Sequence, residues 1–275
     1  MHCYQGRFTA LLALLGATLS ASAVRAQVPI RVTVENIAPT NSVATSPVRF
    51  GFGNGTFDSF DEGQAAFLLG AATIADAPIV GIAEGGSNAA WNPAFLAVEP
   101  NANIGSVVGA SGNAGPPFTP GETASTVLTV DTANQYFSFG SMVVPSNDFF
   151  VGNDSPTQYQ VFDGGGNLIL SSITLTASDI WDAGSETEDP NNAAFLVVGV
   201  NANRVNENGT VERNFSELST FNGLETAEGY TFDSSLLSAD TGVLRISFAV
   251  VPEPATWALA ASALGVVGWL RRRAR

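Results

Sequence analysis

The feature that most constrains the fold is a series of short apolar–polar alternations separated by turn residues. Ile30-Arg-Val-Thr-Val-Glu35 and Leu244-Arg-Ile-Ser-Phe-Ala-Val250 send every second side chain to one face, which is the period of a half-buried strand. Six further segments have strand character: Val48–Phe52, Ser125–Val130, Tyr136–Met142, Gln158–Asp163, Leu168–Ile173 and Phe195–Val200. Asn54-Gly55, Asp163-Gly-Gly-Gly-Asn167 and Asn208-Gly209 supply turn chemistry between them. Helical signal is thin. Glu62–Ala75 contains an Ala/Leu-rich piece that fits one short helix opened by Asp61 or the residue before it. Ala77–Pro117 is rich in Gly, Ala, Asn and Pro, with Trp91 and Phe95 as its large anchors, and reads as long loops crossing the end of a sandwich. The pattern predicts an all-β fold, a single antiparallel β-sandwich with long loops and at most one or two short helices.

Both ends of the chain read as address labels. Arg7 precedes an apolar run from Phe8 to Leu19, and small residues follow to Ala23-Val24-Arg25-Ala26. This is the layout of a secretory signal peptide over residues 1–26, cleaved before Gln27. Cys3 lies ahead of the apolar run, so it is not a lipoprotein acceptor. At the other end, Pro252-Glu253-Pro254 leads into uncharged Ala255–Leu270 and then Arg271, Arg272 and Arg273. Sixteen helical residues fall a little short of a roughly 30 Å hydrocarbon core. Arginine clusters stay on the cytoplasmic side, which places the body of the chain across the membrane. Residues 251–275 resemble the PEP-CTERM sorting signal of Gram-negative bacteria. The resemblance implies cleavage near the Pro-Glu-Pro motif by an exosortase-type membrane protease. The body would then be attached to the cell surface or outer envelope, or released outside. A permanent single-pass anchor is the alternative reading of the same segment.

The region between the labels, about 27–250, is left to form the domain. It has no cysteine and therefore no disulfide, although its compartment would permit one. From Gln27 to Val251 it carries 24 acidic residues against Arg31, Arg49, Arg204, Arg213 and Arg245, a net charge of −19. Such a surface repels nucleic acid and anionic membrane and attracts cations. The one histidine is His2, inside the signal peptide, and the chain has no lysine. That removes the usual general base, zinc ligands, Schiff-base amine and thiol nucleophile, and with them Ser-His-Asp and Cys-His catalysis. No Gly-rich phosphate loop precedes a helix. A carboxylate pair of the glycoside-hydrolase kind is the remaining catalytic option, and the expectation is a non-enzymatic protein. Asn54-Gly-Thr56, Asn208-Gly-Thr210 and Asn214-Phe-Ser216 match the glycosylation triplet. They are discounted, because short triplets recur by chance and the tail is bacterial.

The second informative region pairs Ser141–Gly152 with Asp179–Asp189. Ser141-Met142, Pro145-Ser146-Asn147-Asp148, Phe150-Val151-Gly152 and the turn Asp182-Ala183-Gly184-Ser185-Glu186 resemble the spondin N-terminal domain. Phe57–Gly63 and Thr119-Pro120-Gly121-Glu122 add weaker similarity, so that it spans roughly Ile30 to Pro190. The resemblance implies an antiparallel β-sandwich that binds calcium, with Asp148, Asp182 and Glu186 as ligands. Glu186 departs from the animal pattern, which has Asp there. Independently of the resemblance, calcium takes six to eight oxygens in flexible geometry, whereas magnesium demands a tighter octahedron. A turn with Asp182, a permissive Gly184 and Glu186 can aim two carboxylates at one point, with Asp148 arriving from a strand end. Asn147, Glu188 and Asp189 are candidates for a further ligand or an outer shell. A solvated acidic loop is the alternative. Phe149, Phe150 and Trp181 are expected to pack the loop ends into the core.

Together these readings predict an exported cell-surface or extracellular-matrix protein with a structural or adhesive role and a calcium-stabilised loop end. The main rival is a carbohydrate-binding module for exopolysaccharide, which requires an exposed aromatic row drawn from residues such as Trp91, Tyr136 and Trp181.

Overall fold

A computed structural model describes residues 27–66, 77–109 and 117–252. The signal peptide, Glu253, Pro254, the Ala255–Leu270 stretch, Arg271, Arg272 and Arg273 lie outside the described residues, as does most of the helix expected at Glu62–Ala75. Among the described residues, no helix is long and apolar enough to cross a membrane.

The strands are β1 (Gln27–Asn36), β2 (Ala44–Thr45), β3 (Val48–Gly53), β4 (Asn103–Val107), β5 (Thr123–Asp131), β6 (Tyr136–Val144), β7 (Phe149–Gly152), β8 (Ser172–Thr176), β9 (Trp181–Asp182), β10 (Glu212–Arg213) and β11 (Gly242–Val250). Two helices, α1 (Pro78–Gly85) and α2 (Trp91–Val98), stand between β3 and β4. One sheet has the order β5-β1-β11-β8; the other runs β10-β9-β7-β6-β3-β4, with β2 paired to β6. Every pairing is antiparallel. The expected antiparallel, mostly β architecture, consistent with a β-sandwich, is what forms.

The alternation in β1 explains its place. Ile30, Val32 and Val34 are buried while Arg31 faces solvent. Val32 pairs with Phe248 on β11, and Phe248 meets Phe137 of the opposite sheet with ring centroids 4.9 Å apart. Phe52 lies 6.1 Å from the same ring. These contacts bind the two inner faces into one apolar layer. On the outside of the first sheet, Glu35 faces Arg245 across the β1–β11 ladder at 2.9 Å. An exposed pair of this kind adds at most about 1 kcal/mol.

The second sheet is covered on both faces, so β6 is buried throughout after Tyr136. Its outer face carries a second apolar layer in which α1 and α2 bring Ile79, Ile82, Trp91 and Phe95 against Phe57, Phe60, Phe150 and Trp181. Gly51 and Gly53 in β3 make room for α2: a Cβ at Gly51 would lie 2.6 Å from the Phe95 ring, and one at Gly53 would overlap the Glu99 carboxylate. The helix is seated where the strand has no side chains.

Several expectations change. Ala77–Pro117 is not all loop, because it holds α1, α2 and β4. Pro78 opens α1 and Gly86, at φ 63°, closes it. Nearly every residue of α1 is buried, so no amphipathic stripe marked it. Gln158–Asp163 forms only isolated bridges, Gln160 to Tyr136 and Phe162 to Leu168. In Leu168–Ile173, strand pairing starts at Ser172 and continues to Thr176. Phe195–Val200 is a turn, with Phe195 at φ 73° and Val197, Val198 and Val200 more than half exposed. Within it Leu196 alone is buried in the core, and it forms only an isolated bridge to Thr226. The short strands β7, β9 and β10, absent from the sequence reading, extend the second sheet beside the acidic motifs.

Candidate metal centre

Asp148 closes the connection between β6 and β7. Just before it, the Ser146 hydroxyl donates to the Val143 carbonyl and accepts from the Phe149 amide at 3.1 Å, tying the turn to the strand it opens. β9 then pairs with β7, setting Asp182 opposite Phe149 and Trp181 opposite Phe150. The ladder therefore places Asp182 beside Asp148, 34 positions earlier in the chain.

Beyond Asp182 the chain turns back sharply. The Gly184 amide donates to Asp182 Oδ1 at 2.7 Å, and Gly184 adopts φ 61°. A Cβ on Gly184 would also lie 2.7 Å from the Thr210 nitrogen, so both conformation and space call for glycine. The turn brings Ser185 and Glu186 over Asp148. Asp148 Oδ2 accepts from the Ser185 amide at 2.6 Å, the Ser185 hydroxyl at 2.9 Å and the Glu186 amide at 2.9 Å. Asn147 Oδ1 accepts from the Asp189 amide at 3.1 Å.

The other Asp148 oxygen is different. Asp148 is 0% exposed, and its Oδ1 has no hydrogen-bond partner. Both carboxylate oxygens of Glu188 are likewise buried without partners. Asp148, Asp182 and Glu188 each offer an oxygen within 4.8 Å of the others. While all three are ionised none can satisfy another, since ionised carboxylates only accept hydrogen bonds; without a metal, a proton on Glu188 lets it donate to Asp148. Oxygens on opposite sides of a calcium ion, each at 2.3–2.6 Å, would be about 4.6–5.2 Å apart. The cluster has the dimensions of a single hard cation.

The electrostatics agree with the geometry. Burial pushes Asp182 up to about 7, and the neighbouring Asp148 charge adds to the shift. Glu188 rises to about 10, again through burial first and Asp148 second. Asp148 is raised mainly by burial, against the pull of the Glu186 and Ser185 amides. Three acids crowded together favour protons, which a divalent cation can replace.

Glu186 is placed elsewhere. Its amide serves Asp148, but its side chain, 1% exposed, lies 3.4 Å from Arg204 Nη1, and Arg204 also binds Glu84. Burial raises Glu186 to about 7, with the Glu84 charge next in weight. Of the residues assigned to the site from sequence, Asp148 and Asp182 come together; Glu188 lines the same point, and Glu186 joins a carboxylate–guanidinium group beside it. Arg204 follows Glu186 by 18 positions, and no local pattern announces that pairing. Glu188, by contrast, was legible as a candidate from its place in the acidic run.

The aromatic residues pack inward. Trp181 is 1% exposed, donates to the Gly152 carbonyl at 3.3 Å and lies under the Arg213 guanidinium, 4.2 Å from the ring centroid. Trp91 is fully buried. An exposed sugar-stacking row therefore does not form from these two tryptophans.

Fold and site define an acid-rich antiparallel sandwich with a buried carboxylate cluster at one loop end. A family model described as the PEP-CTERM protein-sorting motif matches residues 250–275. The match implies an exported bacterial protein, processed by an exosortase and sorted to the cell surface or the exterior. It takes in only the last residue of β11 and the tail beyond, and carries no information on the rest of the sandwich. No curated protein is significantly similar to the chain.

Proposed function

We propose that this chain is a non-enzymatic surface or matrix domain of a Gram-negative bacterium, structural or adhesive in role, whose loop end is fixed by calcium. Asp148, Asp182 and Glu188 would supply the carboxylates, with backbone carbonyls and water completing the shell. Calcium is preferred to magnesium because calcium accepts irregular sets of oxygen ligands, whereas magnesium demands a tight octahedron. One observation carries the reading: Asp148, fully buried, has one oxygen held by three donors and the other left with none. A buried acceptor without a partner is costly, and an ion between the three acids removes that cost. The spondin-type resemblance of the same motifs points the same way, with Glu188 taking the place that it gives to Glu186. A loop held by an ion presents a preformed surface, which lowers the ordering cost of binding a partner. The absence of histidine, cysteine and lysine from Gln27–Val251 supports the non-enzymatic part.

The test is thermal unfolding of the purified chain in excess calcium and in chelator, beside Asp182→Ala. An ion that binds the folded form alone stabilises it by about 2.7 kcal/mol at a hundredfold excess over Kd. A shift of several degrees in wild type, lost in the variant, is the expected result. No shift at millimolar calcium would reduce the cluster to a set of protonated acids.

A further inference from the structure

A different part of the molecule bears on what the surface recognises. A cavity of about 380 Å³ opens where the end of α1, the far end of β6 and the turn at Ala194-Phe195 meet. Its walls are largely apolar, with Pro117, Met142, Val144 and Phe195 among them. Arg49 also lines it. Arg49 Nε donates to the Gly86 carbonyl at 3.0 Å, which fixes the plane of the guanidinium. Among the described residues no carboxylate pairs with it. Arg204 holds two, Arg213 and Arg245 hold one each, and Arg31 is exposed to water on β1. A half-buried guanidinium left unpaired amid so many acids is out of character. Burial lowers its pKa, as expected for a cation that has lost water without gaining a counter-charge.

Two more features meet at the same cavity. Asn201 lines it; the Asn201 amide nitrogen donates to the Glu84 carbonyl at 3.2 Å, while its Oδ1 is buried with no donor. Phe195 is held in the left-handed region at φ 73°. Non-glycine residues adopt that region at a cost, and such residues concentrate at binding sites. The volume sits at the small end of ligand pockets, which run to about 300–1,000 Å³.

We propose that this cavity binds a hydroxylated monocarboxylate of monosaccharide size, the chemistry of a uronic acid. Its carboxylate would take the free edge of the Arg49 guanidinium, a hydroxyl would satisfy Asn201, and the C–H face of the ring would lie against Phe195 and Met142. A planar fork matches a carboxylate in two parallel hydrogen bonds. A single cation on a body of net charge −19 suits a monoanion better than doubly charged phosphate. The site shares no carboxylate with the metal centre and does not depend on the calcium reading.

Calorimetric titration of the purified chain tests this with glucuronate, glucuronate methyl ester, glucose and inorganic phosphate at matched ionic strength. The expected result is binding of glucuronate about tenfold or more tighter than the ester, glucose or phosphate, since charge-assisted pairs are about twice as strong as neutral ones. Arg49→Gln should erase that preference. The ester comparison uses only the wild-type protein, so it decides the matter even if the variant folds poorly. Glucuronate that fails to bind at about 10 mM, weaker than any ordinary specific site, would overturn the proposal. So would an ester that binds as well as the acid, or phosphate that binds better.

Discussion

Two buried acids in this molecule have opposite fates. Glu99, at the end of α2 and 3% exposed, receives the amides of Thr56 at 2.8 Å and Phe57 at 2.7 Å on one oxygen and the Asn54 amide on the other. Both of its oxygens are used, and it closes the turn after β3 with protein groups alone. Asp148 is as deeply buried and has as many donors, but all three converge on one oxygen. The second oxygen has no donor, and Asp148 offers an oxygen within 4.8 Å of oxygens of Asp182 and Glu188. Burial of a carboxylate therefore does not by itself mark a site. What separates the two acids is whether both oxygens find donors.

The sharpest way to break the comparison is Glu99→Ala. Hydrogen bonds to a charged group are worth about 1.5–3 kcal/mol each, and partial rehydration of Asn54 and Thr56 would leave a net loss of about 3 kcal/mol. Urea unfolding should show this loss equally with calcium and with chelator. Glu188→Gln should do the reverse, removing the calcium-dependent gain of about 2.7 kcal/mol at a hundredfold excess over Kd. In chelator it should be no less stable than wild type, because Gln has the shape and neutrality of the protonated acid that Glu188 becomes without metal. A calcium shift that survives would remove Glu188 from the centre. Gly184→Ala should cost about 2 kcal/mol in thermal unfolding, because a side chain at positive φ is strained and this one also meets Thr210.

A further effect is on pH. Unfolded carboxylates titrate near 4, whereas the folded protein holds Asp182 and Glu186 at about 7 and Glu188 at about 10. The folded state then binds more protons than the unfolded one above pH 4. Stability in chelator should fall as pH rises from about 4 through 7 and beyond, because each ionisation gives up a proton that the folded state favours. Saturating calcium should flatten that slope. A chelated protein that gains stability over this range would show that the three acids do not crowd one another.

Much of the sandwich was legible because half-exposed strands write their period into the sequence. β1 and β11 alternate, and each was located to within a few residues. The helices left no such mark, since α1 is buried on nearly every side and α2 has only Trp91 and Phe95 fully inside. Their seats depend on Gly51 and Gly53, residues of a distant strand. β7 is buried on both faces and so lacks alternation. Phe195–Val200 misled in the other direction, its valines facing outward. In the acidic cluster, Asp148 and Asp182 were readable from their motifs. The division of labour between Glu186 and Glu188 was not, because Arg204 and Glu84 decide it from far along the chain.

The sorting motif is joined to the fold without slack. Its match begins at residue 250, where β11 is still paired with Ile30, and the Val251 amide donates to the Pro29 carbonyl at 2.8 Å. β11 is an interior strand, held by seven residue pairs to β1 and five to β8. A tether fixed at this point grips the sandwich by a central stave, not by a loose flap. Were the processed chain to stay attached through this end, traction would run lengthwise down that stave and be shared by two ladders at once.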